Sequence, residues 1–372
     1  MSEIKTPRLI AYYLPQYHPI PENDEWWGKG FTEWTNVARA KPLFKGHYQP
    51  HIPADLGFYD LRVPEVRQAQ AEMAKQYGIE GFCYWHYWFA GKRLLEKPFD
   101  EVLQSGKPDF PFCLAWANAT WTGIWYGTPD RILIEQTYPG IEDHTAHFHS
   151  LLLAFQDLRY IKVDDKPLFF VLQPSELNDG VVDLWRKLAV SAGLKGLFLI
   201  GIVKNAKEAA YIRKLGFDAC TISRTSGKAQ KTSLFREFLH RSFGEALAVY
   251  FYKNILKKPF HVYDYREALP YLAPEEDTGL EFFPCVMPNW DNTPRSGLNG
   301  YIFTHSTPEV FQQHLHQAIQ CVESYPTQHQ IVILKSWNEW AEGNYLEPSL
   351  KFGRLFLEAI RAELDLQRKN GQ

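Results

Sequence analysis

Cysteine and methionine are scarce in this 372-residue chain, with 5 and 3 copies. The cysteines, Cys83, Cys113, Cys220, Cys285 and Cys321, are odd in number and widely spaced, which argues against a disulfide scaffold or a zinc frame. Four of them lie inside apolar runs that read as strands, so buried reduced thiols are expected. Charge of one sign is lacking as well: 40 Lys and Arg stand against 43 Asp and Glu, for a net charge of −3. With a pI near 6.5 and no sustained basic stripe, no nucleic-acid partner is expected. No uncharged apolar run is long enough to span a membrane, and the stretch Met1 to Ile10 lacks the apolar core of a signal peptide, so a cytoplasmic protein is expected. A phosphate-binding glycine turn is missing too. The first apolar run, Arg8 to Leu14, passes directly into Pro15-Gln-Tyr-His-Pro19, which disfavours an open doubly wound sheet.

Aromatic side chains are what the chain has in abundance: 15% of residues, with 12 Trp. Eleven of those 12 fall at the ends of apolar runs or in the segments that follow, Trp185 on an expected helix being the exception. The runs alternate with helix-like segments from end to end. Arg8–Leu14 precedes a helix over Val63–Gln76; Ile79–Trp85 precedes one around Phe99–Gln104; Phe110–Trp116 precedes one over about Asp143–Leu158. Pro167–Leu172 and Val181–Ser191, Gly196–Ile202 and Ala206–Lys214, then Gly216–Ile222 and a long helical region over about Leu234–Leu256 continue the pattern. Glu281–Met287 with Pro308–Ser324, and Ile331–Lys335 with Leu350–Leu366, complete eight units, although Pro284 interrupts the seventh run. Eight strand–helix units in order imply a (β/α)8 TIM barrel, read as a single domain over residues 1–372. Segments after the strands are long and aromatic, particularly Pro15–Arg62, Trp85–Lys97 and Ala117–Glu142. A barrel gathers those loops on its C-terminal rim, where active sites lie.

The last strand carries the clearest chemistry. Ile331-Val-Ile-Leu334 is apolar throughout, as a strand buried on both faces must be, and it runs into Lys-Ser-Trp337-Asn338-Glu339-Trp-Ala-Glu342. A solvated acidic loop is the ordinary reading of two glutamates. The flanking tryptophans and Asn338 favour a second reading, in which two carboxyls in an aromatic setting are pushed to different pKa values, one acid and one base. On a helical turn, residues three apart have Cβ atoms about 5–6 Å from each other. Carboxylate pairs of this kind serve glycoside chemistry. Polar and aromatic residues recur at the other strand ends: Tyr13, Gln16, Tyr17 and His18 after the first, Tyr84, Trp85, His86 and Tyr87 at the second, Asn118 and Trp121 after the third, Trp290 and Asp291 after the seventh. Trp34 joins them from the first long loop, and Trp337 and Asn338 from the last. Sugar rings have apolar faces and hydroxyl edges, so flat aromatics with Asn, Gln, His and Asp suit an oligosaccharide or polysaccharide; packing over the rim accounts for about half of such aromatics.

His144, His147 and His149 start an expected helix with no completing carboxylate, so no metal and no cofactor is expected. The segment Leu234–Lys258 mixes Phe, Leu and Tyr with Arg and Lys; a barrel helix is the leading reading and peripheral membrane contact the second.

Ala11–His18, Trp27–Val37, Gly81–Phe89, Asn289–Arg295 and Ser336–Pro348 resemble the WbsX-type proteins of bacterial surface-polysaccharide gene clusters, over nearly the whole chain. Proteins of that type carry a glycosyltransferase label yet look related to glycoside hydrolase family 99, a barrel family of endo-α-mannosidases and mannanases. The resemblance implies a retaining route in which Glu339 takes the proton of the sugar's own 2-hydroxyl, a 1,2-anhydro sugar forms, and Glu342 serves the leaving oxygen as acid. The first loop departs from the hydrolases, so mannose is not implied. A retaining glycosidase or transglycosidase acting on a surface polysaccharide or lipid-linked glycan is therefore the leading expectation. An O-antigen or capsule glycosyltransferase is the first alternative; no two aspartates stand two apart, so its usual metal motif is missing. A non-catalytic glycan-binding barrel is the second.

Overall fold

The computed structural model describes residues 6–123, 128–222, 234–269 and 279–370. Predominantly apolar runs become parallel strands covered on both faces. These are β1 (Arg8–Tyr13), β2 (Gly81–Phe89), β3 (Phe112–Trp116), β4 (Lys166–Val171), β5 (Phe198–Val203), β6 (Ala219–Ile222), β7 (Glu281–Phe282), β8 (Cys285–Val286) and β9 (Ile331–Leu334). They form one curled parallel sheet in the order β7-β6-β5-β4-β3-β2-β1-β9-β8. In register, Leu9 lies beside Val332 and Ala11 beside Leu334, so the ends of β1 and β9 open onto the same place.

The seventh expected strand is two strands. Pro284 has no N–H to give a ladder, and the run breaks around it. Its first half pairs with β6, where Phe283 also donates to the Cys220 carbonyl (2.9 Å). Its second half pairs with β9, where Ile333 donates to the Pro284 carbonyl (2.9 Å) and Lys335 to that of Val286 (2.7 Å).

Helices return the chain between strands: α1 (Pro64–Gln76), α2 (Lys97–Ser105), α3 (Ile141–Gln156), α4 (Val181–Ser191), α5 (Ala206–Lys214), α6 (Leu234–Asn254), α7 (Pro308–Val322) and α8 (Leu355–Asn370). Local sequence accounts for them. α7 begins at Thr307, whose hydroxyl accepts from Val310 N–H, with Pro308 in the first turn, and it buries Phe311, Leu315, Ala318 and Val322 along one stripe. α6 is two helical pieces, because Gly244 sits at φ 78° in its middle. α8 starts five residues after the expected Leu350, which instead donates its N–H to the Ile52 carbonyl (2.9 Å). Among the described residues no helix is long and apolar enough to cross a membrane.

Strand alternation decides which side chains meet. Tyr12 turns inward, stacking on Trp85 with ring centroids 4.7 Å apart and meeting Phe170 edge-on. Tyr13 turns the other way, to Phe82 and Tyr84, and Tyr84 in turn packs on Phe99 of α2. The long segments after strands carry structure of their own. Pro15–Arg62 contains short helices at Pro21–Trp27 and Glu33–Arg39. β2 runs on to Phe89 and folds back through Lys92–Leu94, and Trp121–Gly123 pairs with Thr128–Ile134 in the third segment, of which residues 124–127, including Trp125, lie outside the described residues.

Candidate active site

Beyond β9 the chain makes a tight hairpin. Asn338–Glu339 pairs antiparallel with Asn344–Tyr345 around a single 3-10 turn, Trp340–Glu342. Gly343 closes the turn at φ 61°, and a Cβ there would come within 3.0 Å of the Asp291 Cβ, so both backbone and space require glycine. Asn338 fastens the hairpin to the end of β1: its Oδ1 accepts from Leu14 N–H (2.7 Å) and its Nδ2 donates to the Leu14 carbonyl (3.0 Å). Tyr17 acts from the other side, its hydroxyl donating to the Asn338 carbonyl and accepting from Trp340 N–H (3.2 Å). Asp291 N–H donates to the Glu342 carbonyl (2.7 Å). The main chain that carries Glu339 and Glu342 is thus held from three sides.

Their side chains converge on one guanidinium. Arg295 donates through Nη1 to Glu342 Oε1 (2.5 Å), through Nη2 to Glu339 Oε2 (3.1 Å) and through Nε to Glu33 Oε1 (2.7 Å). Trp85 Nε1–H reaches the other oxygen of Glu339 at 3.2 Å. Burial opposes the charge on Arg295, but Glu33, Glu342 and Glu339 together outweigh it and hold the guanidinium protonated. Burial, and next the neighbouring charge of Glu342, push Glu339 up to about 7, with Arg295 acting in the opposite direction. Near neutral pH the group therefore exchanges a proton readily, which is what acid–base chemistry needs. Around it, Tyr87 feels Glu339, Arg295 and Glu33, and burial raises its hydroxyl well above the usual range.

Another buried carboxylate, that of Glu347, braces the hairpin. Glu347 accepts from Trp340 Nε1 (2.6 Å), Gln70 Nε2 (2.7 Å) and the Tyr59 hydroxyl (2.9 Å), and burial raises it to about 7. Asp291 is equally saturated: His47 Nε2 (2.8 Å) and Gln49 Nε2 (2.7 Å) meet Oδ2, while the Thr293 N–H (3.0 Å) and hydroxyl (2.6 Å) meet Oδ1.

Of the residues expected at the site, Trp85 meets a carboxylate directly, while Tyr17, Asn338 and Asp291 hold the main chain that carries the pair. Gln16 lies under the short helix, its carbonyl accepting from Glu33 N–H (3.0 Å), and its Nε2 is buried with no partner among the described residues. Trp34 donates to the Tyr59 carbonyl (2.8 Å) and packs between Tyr17 and Trp340. His18 is held by the Pro15 carbonyl, and burial lowers it to about 4. Trp121 stands against Tyr87, Phe89 and Trp26. Asn118 locks two rim segments together, through the main chain of Gln173 (2.8 and 2.9 Å) and the Tyr138 hydroxyl (2.9 Å).

Five expectations need correction. Tyr13, Tyr84 and His86 occupy strand positions that face the helices: Tyr13 donates to Gln70 (2.6 Å), Tyr84 packs on Phe99, and His86 pairs with His147 of α3 (2.8 Å). Trp337 is fully buried against Phe82. Trp290 is packed with Met287 and Phe303, and the Lys335 ammonium lies 4.4 Å from its ring centre. Conversely, Glu33 and Arg295 drew no attention as site residues in the sequence, although both stand in aromatic-flanked motifs. Among the described residues no group of three or more His, Cys, Asp or Glu is arranged to hold a metal ion.

This fold is a glycoside-hydrolase-like one. A solved structure described as a glycoside hydrolase-like protein aligns with a TM-score of 0.60 over 97% of this chain and 94% of its own, at 16% identity. The GH99 endo-alpha-mannosidase from Bacteroides thetaiotaomicron aligns with a TM-score of 0.55 over 97% of this chain and 98% of its own, at 17% identity. Residues 9–360 match the family described as Glycosyltransferase WbsX, and the chain belongs to that family. It is also 37% identical, over 361 residues and 96% of its length, to the uncharacterized protein WxcX of Xanthomonas campestris pv. campestris, strains B100 and ATCC 33913. The chain spans about half (49%) of the length of those relatives.

Proposed function

We propose that this chain is a carbohydrate-active enzyme, a retaining glycoside hydrolase or transglycosidase, that works on a bacterial surface polysaccharide or lipid-linked glycan through Glu339 and Glu342. The observation that carries the proposal is the bonding of both carboxylates to the single buried guanidinium of Arg295 at the end of β9. Such a clamp fixes their spacing and orientation before substrate arrives. The architecture of the proposal is one closed (β/α)8 barrel domain. It is supported by the segment Glu281–Val286, which bonds to β6 at one end and β9 at the other, and by the family match over residues 9–360. A reducing compartment such as the cytoplasm is supported by free thiols throughout, including the exposed Cys321.

In the mechanism, Glu339 takes the proton of the 2-hydroxyl, O2 closes on C1, and the C1–O bond to the leaving group breaks as Glu342 protonates that oxygen. Water or an acceptor hydroxyl then attacks C1 as the C1–O2 bond breaks, Glu342 taking the proton of the attacking oxygen and Glu339 returning its proton to O2, so configuration is retained and both carboxyls are reset. A pKa near 7 suits Glu339 as a base at neutral pH. The same value favours a second reading with the roles exchanged, Glu339 giving the proton to the leaving oxygen. Aryl glycosides separate the two. A leaving group that needs no proton restores turnover only when the acid has been removed, so rescue of Glu342→Gln and not Glu339→Gln supports the first assignment, and the reverse supports the second. Rescue of neither, with full activity in both variants on the natural glycan, removes the pair from the mechanism. The family's description keeps a glycosyltransferase as the alternative class.

A further inference from the structure

Behind Glu342 lies a cavity of about 740 Å3, well within the range of ligand pockets. It is lined by residues of the Phe44–His51 stretch, Asn289 and Asp291, residues 302–307 and Lys351, together with Arg236 of α6 and Lys258. Asp291 is the partition. It lines the cavity while its N–H is bonded to the Glu342 carbonyl at 2.7 Å.

Four basic side chains line this cavity, Lys45, Arg236, Lys258 and Lys351, and among the described lining residues Asp291 is the one carboxylate. Both oxygens of Asp291 already accept two hydrogen bonds each, from His47, Gln49 and Thr293. His47 is neutral by its bonding, since Nδ1 accepts from Leu43 N–H (3.0 Å) and Nε2 donates to Asp291. The asymmetry stands out in a chain whose net charge is −3. Lys45, Lys258 and Lys351 take part in no ion pair among the described residues. Lys351 is held over the rings of Tyr48 (4.5 Å) and Phe352 (4.6 Å), which directs its ammonium where a solvated lysine would wander. Burial lowers its pKa, as for a cation missing a counter-charge.

Two buried polar atoms add a second kind of contact. Asn289 Oδ1 and Ser306 Oγ, on residues that line the cavity, have no partner among the described residues. An amide oxygen only accepts, so it calls for a hydroxyl or N–H donor, not for an anion. Cations beside an unpartnered acceptor suit a sugar that bears a negative charge.

We propose that this cavity is a subsite for an anionic group, a carboxylate or a phosphate, carried on the glycan that the Glu339–Glu342 pair acts upon. The assignment rests on the glycan reading of that pair, but binding is measurable without turnover. Calorimetry on the full chain with glucuronate, with inorganic pyrophosphate and with neutral glucose distinguishes the sources. Binding of glucuronate alone identifies an acidic sugar; binding of pyrophosphate alone identifies a phosphate linkage; binding of both supports the shared chemistry. In a Lys45→Gln, Lys258→Gln, Lys351→Gln variant with an unchanged melting curve, anion affinity falls about tenfold or more, the value of one charge-assisted hydrogen bond. No binding of either anion overturns the proposal, as does equal affinity in the variant or equal binding of glucose. Glu342→Gln serves as the control: it keeps anion binding even if hydrolysis is never found, so failure of the catalytic reading and failure of the subsite are read separately.

Discussion

Glu33 and Arg295 stand 262 positions apart in the chain, yet their side chains meet at 2.7 Å with neither appreciably exposed to solvent. This contact couples the first long loop to the loop beyond β8, and through the other two nitrogens of Arg295 it reaches both glutamates of the hairpin. Three carboxylates around one buried cation leave little freedom. Replacing Arg295 with Met strands them, and breaking such a buried pair costs about 3–5 kcal/mol. Arg295→Lys keeps the charge but cannot span three carboxylates, so it retains more stability than Met and still loses turnover. Thermal melts and initial rates on both variants check this ordering; equal melting temperatures for Met and wild type would contradict it.

Glu339→Gln and Glu342→Gln preserve shape and remove a charge or a transferable proton. Each is expected to fold and to lose turnover by about 10²–10⁴-fold. The rate profile of the wild type should have an ionisation near 7, from the raised pKa of Glu339, that is missing in Glu339→Gln. Initial rates across pH 5–9 on each protein provide the check.

Two tryptophans separate binding from packing. Trp85 is half-buried, stacked on Tyr12 and bonded to Glu339, so Trp85→Ala weakens glycan binding and turnover more than stability. Trp290 is enclosed among Met287, Tyr265 and Phe303, so Trp290→Ala costs about 3–5 kcal/mol, the usual range for deleting a core aromatic. Calorimetry and melting curves on the same samples distinguish the two effects.

Glu347 links stability to pH in a stated direction. Its folded pKa, about 7, lies above the ordinary carboxylate value, so between roughly pH 4.5 and 7 the folded state binds more proton than the unfolded one. Its contribution to stability is therefore greatest at the acid end and is lost as pH rises through 7. The stability difference between wild type and Glu347→Gln, from urea unfolding at pH 5 and pH 7.5, should shift against the wild type at the higher pH. A constant difference would mean that Glu347 is ionised throughout.

Most of the elements were legible because parallel strands covered on both faces leave uninterrupted apolar runs, and the bounds of α4 and α5 coincide with those read from Val181–Ser191 and Ala206–Lys214. The same property hid the site. In Tyr12-Tyr13 and Tyr84-Trp85-His86-Tyr87 every position is aromatic or histidine, so no alternation of polarity tells the inner face from the outer, and half of these residues face the helices. Arg295 was passed over for another reason: it ends the motif Asn289–Arg295, but nothing local to that motif names its partners Glu33, Glu339 and Glu342. Pro284, by contrast, gave fair warning that the seventh run was not one strand.

The central claim is that Glu339 and Glu342 transfer protons in the breaking of a glycosidic bond. Its most direct test is product analysis after incubating purified protein with oligosaccharides of the native polysaccharide, and separately with labelled nucleotide sugars and acceptor, for wild type and Glu342→Gln. The expected result is cleavage or transglycosylation of the oligosaccharide without added nucleotide, abolished in the variant, and no reaction on a donor lacking the 2-hydroxyl. Transfer from the nucleotide sugar alone, undiminished in Glu342→Gln, would contradict it.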